Sequence, residues 1–200
     1  MSSVTSDKTA AETVFGGSIA HKGIKSIATA IKIVKNSGAE SLNARNIASA
    51  LNCSTQPIFS NFATMEELQS EVMKKAADIC NDYIKREVES NIYPVYKASG
   101  MAYIRFAKEE KELFKLLYMR SRSGDNESCG TELFDEMKNL VHNNTGLNDN
   151  DSELFHLEMW IYVHGIAVMF ATDFLDLDWE LVSRMLTDAY NGLRKQYEAE

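Results

Sequence analysis

The sequence predicts an all-α fold of about nine helices, in which a short N-terminal three-helix unit precedes a larger helical bundle. Three observations carry this. Only two prolines, Pro57 and Pro94, and ten glycines interrupt 200 residues, too few for a fold of many turns. Apolar residues recur at helical spacing from residue 21 onward. The composition, 44% hydrophobic and 25% charged, suffices for a sizeable core.

Residues 1–20 are polar and unpatterned, which predicts a flexible arm and no signal peptide. Beyond them Ile24, Ile27, Ala28, Ile31 and Val34 mark one helix, and Gly38 suits its left-handed cap. Asn43 caps a second, with Ile47, Ala48 and Leu51 on its apolar side. Asn52 tolerates a left-handed turn, and Ser54 or Thr55 can cap a third helix running through Phe62, with Pro57 in its first turn. Thr64-Met65-Glu66-Glu67 has capping-box spacing and starts a long helix to near Ser90.

Pro94 opens the next helical segment, with a bend expected near Glu109–Lys111, and Ser121–Gly130 reads as a polar loop. Leu133 to Val141 form a further helix, ended by Asn143–Gly146. A strongly apolar helix follows from about Glu153 to Phe174, and Asp178 caps the last one. No unbroken run of eighteen apolar residues exists, so no membrane span is expected. Cys53, Cys80 and Cys129 are too scattered for a disulfide framework or a zinc site, and the chain reads as reduced and cytoplasmic.

The net charge of −8 is unevenly spread: residues 21–62 hold five Lys/Arg against one acid, and residues 64–200 hold fifteen against twenty-six. A basic head on an acidic body is the pattern of local phosphate attraction. In the head, the second helix braces the third, whose Ser54, Thr55, Gln56, Ser60 and Asn61 are suited to base edges and phosphates. Gln56 fits a bidentate pair with adenine, and Arg45 a phosphate or a base.

The stretch Gly38-Ala39-Glu40-Ser41-Leu42-Asn43-Ala44-Arg45-Asn46-Ile47-Ala48 resembles the G-x-x-x-L-T-x-R-x-I-A segment of TetR family transcriptional regulators. Leu51 to Phe62 resembles their L-G-V-S-x-x-x-L-Y-x-H-F, and Thr64-Met65-Glu66-Glu67-Leu68 their S-K-E-E-L. The resemblance implies double-stranded DNA binding by residues 21–66, through Lys25, Asn43, Arg45, Ser54, Thr55, Gln56, Pro57, Phe59, Ser60, Asn61 and Thr64. Phe59 stands where the family carries a phosphate-binding tyrosine, Asn61 where it carries histidine, and Met65 where it carries lysine.

For residues 67–200 the resemblance implies a ligand-binding and dimerisation body. Trp160-Ile161-Tyr162-Val163-His164-Gly165 resembles the W-x-x-x-H-G motif of one subgroup. Candidate ligand contacts are Met101, Tyr103, Phe106, Phe114 and Tyr118, with Phe134, Met137, Trp160 and His164, because aromatic and methionine side chains make an adaptable apolar cavity. The homodimer surface is expected at Met159, Val163, Ile166 and Phe170 with Leu181, Met185 and Ala189. Gly165 in mid-helix suggests a second backbone passing close by.

Glu153 and His156 have the E-x-x-H spacing of helical di-iron sites, but no second copy exists. No nucleotide loop or nucleophile constellation is legible, so no enzymatic activity, cofactor or metal is expected. The expected function is a dimeric repressor released from DNA by a small-molecule effector. The alternatives are a regulator controlled by a protein partner without a small-molecule ligand, and a helical-bundle enzyme or metal protein.

Overall fold

The computed structural model describes residues 23–120 and 131–198. The arm at residues 1–20 and the loop at Ser121–Gly130, with Cys129, lie outside them. All regular structure among the described residues is helical, in nine α-helices and one short 3-10 turn at Ala39–Ser41.

Helix α1 (23–37) buries Ala30, Ile31 and Val34. Gly38 then takes φ 80° and its N–H donates to the Val34 carbonyl at 2.9 Å, a left-handed stop that a Cβ would strain. Helix α2 (Ala44–Ala50) is capped by Asn43, whose Oδ1 accepts the Asn46 N–H at 2.9 Å. Asn52 makes the following turn at φ 52°. Helix α3 (Gln56–Phe59) is a single turn. It stops short of the expected Phe62 because the Asn61 N–H bonds the Ile58 carbonyl, tightening the chain. That turn delivers Phe62 into the core beside Ile47 and Ile58.

Helix α4 (Met65–Glu89) starts at the predicted box: the Glu67 N–H donates to Thr64 Oγ1 at 3.2 Å, and the Ala63 N–H donates to the Glu67 carboxylate at 2.6 Å. Its buried residues, Leu68, Val72, Ala76 and Cys80, fall every fourth position on one stripe. Helices α5 (Val95–Glu109) and α6 (Lys111–Tyr118) meet at Glu110, whose φ −122° and ψ 49° make the expected bend. Lys35 of α1 donates to the Glu110 carboxylate at 2.5 Å, tying head to body at that bend.

Helix α7 (Thr131–Thr145) ends at Gly146, φ 73°. Helix α8 (Asp149–Ala171) begins four residues before the expected Glu153, because Asn148 accepts the Asp151 N–H at 3.0 Å and caps it there. It ends before Phe174 because Asp173 turns to φ 57° and the Phe174 N–H closes onto the Met169 carbonyl. Lys111 holds the Asp173 carboxylate, and Lys108 that of Asp176. In α9 (Trp179–Glu198), Asp178 Oδ1 accepts the Leu181 N–H at 2.8 Å.

Helices α5 and α8 form the middle of the body, with α4, α6, α7 and α9 around them. The head core and the main core of the body are one cluster that includes Val34, Ile47, Ile58, the α4 stripe, Met101, Phe106 and Phe114, while Val141, Phe155 and Met159 form a second, smaller one. Helix α8 is long and apolar enough to cross a bilayer by length and composition, with a mean hydropathy of 1.4 over eighteen residues, which counting unbroken apolar runs overlooked. Here its buried residues, Phe155, His156 and Met159 among them, are packed within the bundle. Gly165 does not mark a close backbone: among the described residues nothing lies within 4 Å of where its Cβ would stand. The close approach is at Gly100, whose Cβ would sit 3.4 Å from Val163 of α8 and Leu186 of α9.

The turn at Asn52 yields the first prediction. Asn52→Val destabilises the fold by about 1–2 kcal/mol, since a β-branched residue resists a positive φ, whereas Asn52→Gly is neutral or stabilising. Urea unfolding of the two variants checks the order.

Candidate DNA-reading face and body cavity

The head separates its apolar and polar residues sharply. Leu42, Ala44, Ile47, Ala48, Ile58 and Phe62 are buried, while Arg45, Ser54, Gln56 and Ser60 are exposed. Asn43, Arg45, Thr55 and Phe59 come together around one shallow depression, completed by Ala44 and Asn46. Thr55 is the N-cap residue of α3, with no side-chain cap bond, and Pro57 sits in the first turn, where a missing N–H is harmless. The Phe59 ring is 46% exposed on this face, an apolar surface among polar ones.

Two predicted residues are already engaged. Asn61 Nδ2 donates to the Pro57 carbonyl at 2.6 Å, and Ser60 Oγ donates to the Gln56 carbonyl at 2.9 Å. Asn61 faces the start of α1, where a Cβ on Gly23 would lie 3.5 Å from its Oδ1. Lys25 is exposed on that helix, apart from the depression, and Thr64 is committed to capping α4.

The body holds a partly open cavity of about 740 Å³ between α5, α7, α8 and α9. Of the predicted contacts, Tyr103, Tyr118, Phe134, Met137 and Trp160 line it. Met101, Phe106 and Phe114 do not: each is fully buried in the main core, where side chains rather than open space surround it. His164 stands just behind the wall, bonded through Nδ1 to the Tyr103 hydroxyl at 3.0 Å and stacked on Trp160 with ring centroids 5.1 Å apart.

Tyr96 and His156 also line the wall, and neither is among the expected ligand contacts. His156 Nδ1 and the Tyr96 hydroxyl share a hydrogen bond of 2.9 Å, and the Phe134 ring lies 4.4 Å from the imidazole. Burial pushes the His156 imidazole down to about 4 and also lowers His164, so both rings are neutral at pH 7. A signal was present in the sequence. His156, Trp160 and His164 lie at i, i+4 and i+8, a polar-aromatic row on an otherwise apolar helix. Glu153, the other half of the E-x-x-H spacing, is exposed while His156 is buried. Among the described residues no three His, Cys, Asp or Glu are grouped to hold a metal.

This architecture is found in solved proteins. A TetR family protein from Vibrio parahaemolyticus superposes with a TM-score of 0.61 at 15% identity, covering 86% of this chain and 97% of that one. A TetR-like transcriptional regulator from Rhodococcus sp. RHA1 gives a TM-score of 0.64 at 13% identity, covering 89% and 96%. The chain has a TetR-like fold. No family model and no curated protein sequence matches it.

Within this TetR-like fold, four of the residues expected at a dimer surface turn inward. Met159, Val163, Ile166 and Phe170 are buried against the chain's own body. The outward face of α8 instead carries Leu154, Leu157, Ile161 and Met169, exposed by 39–57%, with Gly165 between them. On α9, Leu181 is exposed, Met185 and Ala189 half-buried.

Neutral His156 makes stability depend on pH. Its folded value, about 4, lies below the unfolded 6.5, so its contribution is complete above pH 6.5 and is lost as pH falls toward 4. The loss is at most about 3 kcal/mol, since solvent screens part of the shift. Equilibrium unfolding across that range should show His156→Gln with a flatter profile than the parent.

Proposed function

We propose that this chain is a dimeric DNA-binding transcriptional regulator of the TetR type, a cytoplasmic repressor released from a near-palindromic operator by a small apolar or amphipathic molecule. The observation that carries the reading is the divided head. Its helices bury Leu42, Ile47, Ile58 and Phe62, set Asn43, Arg45, Thr55 and Phe59 around one exposed depression, and leave Ser54, Gln56 and Ser60 exposed as well. A core that tight needs no polar rim of that kind, whereas base edges and phosphates do. The local excess of positive charge in the head supplies the attraction, and the acidic body keeps the rest of the surface away from phosphate.

Pairing of two copies is supported by the outward apolar face of α8, where open space over Gly165 lets a second helix approach closely. The dimer holds two α3 helices about 34–36 Å apart, one turn of duplex. Control by a small molecule, rather than by a protein partner alone, is supported by the roomy cavity beneath Trp160. The wall includes Ile84 of α4, the helix that leads to the head, and the Lys35–Glu110 bond joins α1 to the α5–α6 bend. An effector that fits a different packing of α4 and α5 pivots the head and spoils the spacing, provided its affinity differs between the two shapes.

Selection from random duplex DNA, followed by titration of the enriched sequence, tests the reading. Affinity falls as salt rises, in proportion on logarithmic axes. Gln56→Ala costs about 1–3 kcal/mol on the enriched duplex and much less on unrelated DNA. Binding indifferent to ionic strength and to Gln56 would contradict it.

A further inference from the structure

The cavity wall is aromatic and apolar over most of its area, yet its charge has one sign. Among the described residues that line it, the ionised side chains are Lys97 of α5 and Arg194 of α9, and none is a carboxylate. This is unusual for a body in which Asp and Glu outnumber Lys and Arg. Three other lysines of the body are matched: Lys108 with Asp176, Lys111 with Asp173, Lys115 with Glu112. Among the described residues Lys97 has no such partner. Its ammonium donates to the Thr187 hydroxyl at 2.8 Å and lies 4.7 Å from the centre of the Tyr93 ring.

Thr187 stands on the same wall, as do the amide side chains of Asn144 and Asn191. Partial burial lowers the Lys97 ammonium from its ordinary value, because the charge has lost water without gaining a counter-ion. An anion in the cavity restores what the charge lost. A cation there meets the ammonium of Lys97, although aromatic faces would otherwise welcome it.

We propose that the cavity takes an amphipathic anion, an apolar or aromatic body bearing one carboxylate, sulfonate or similar group that seats against Lys97. This rests on reading the cavity as the effector site. The apolar body lies among Tyr103, Phe134, Met137 and Trp160, and the anionic group turns toward α9, where the Asn191 amide can donate to it beside Lys97, whose ammonium the Thr187 hydroxyl holds while itself donating to the Ser183 carbonyl. The neutral His156–Tyr96 pair keeps the floor free of charge.

Two dyes with the same aromatic skeleton separate the effects: 8-anilinonaphthalene-1-sulfonate carries an anion, and N-phenyl-1-naphthylamine lacks it. Each is titrated by its own fluorescence into the full-length chain, the Lys97→Met variant and the Lys97→Arg variant, with circular dichroism confirming that all three are folded. Lys97→Met should weaken the sulfonate dye about tenfold while shifting the neutral dye less than about twofold, and Lys97→Arg should restore the sulfonate dye. Equal loss for both dyes, or no loss for either, would overturn the anion assignment. Saturable binding of the neutral dye alone to the parent would overturn it too, while leaving the effector cavity standing. If neither dye saturates at one per chain, both the assignment and the effector reading fall.

Discussion

One buried stripe holds this molecule in register. Leu68, Val72, Ala76 and Cys80 run along α4, and each is at most 2% exposed. The first of them packs in the same cluster as Ile47, Ile58 and Phe62, and the last in the same cluster as Phe106 and Phe114. A helix that buries one face against two sets of neighbours cannot rotate without opening both, because interiors are packed too densely to deform smoothly. The bonds from the Glu67 N–H to Thr64 Oγ1 and from the Ala63 N–H to the Glu67 carboxylate fix where α4 begins, so the turn that presents α3 is fixed with it.

The same constraint explains how a cavity 740 Å³ in volume is relevant to a polar face on the head. The wall touches α4 through Ile84 and α5 through Tyr96, Lys97, Ser99, Gly100 and Tyr103. A side chain or ligand that displaces those helices moves the whole stripe. The Lys35–Glu110 bond adds a second link, from α1 to the one residue between α5 and α6 that leaves helical geometry. Its Coulombic contribution is modest, as for any pair with one exposed partner. Its position at the bend matters more than its strength.

Local chemistry made most of the fold legible. Asn43, Thr64 and Asp178 cap helices because a short side-chain oxygen reaches free N–H groups two or three residues on, and the sequence alone shows the spacing. Gly38 and Asn52 turn through positive φ, as their residue types permit. The inward and outward faces of α8 were not legible. That helix is apolar on nearly every side, so nothing in the pattern distinguishes Val163 and Ile166, which are buried, from Ile161 and Met169, which are not. The cavity wall was half legible for a related reason. Phe106 and Tyr103 are near neighbours of similar size, but whether a ring meets another ring or open space depends on helices far away in the chain. Tyr96 and His156 meet across sixty residues, a juxtaposition that only the packed bundle creates.

The account turns on two copies of the head being held at a fixed separation. Cys53 is exposed in the turn that leads to α3, and Cys80 is buried, so the chain nearly carries its own reporter. With Cys80→Ala and Cys129→Ser in place and a spin label on Cys53, dipolar spectroscopy of the free protein should give one narrow distance, offset from the about 34–36 Å between the two α3 helices only by the position of Cys53 and the reach of the label. A sample with no dipolar coupling, or with a broad spread of distances, would mean that the heads are not clamped in a pair and would contradict the account.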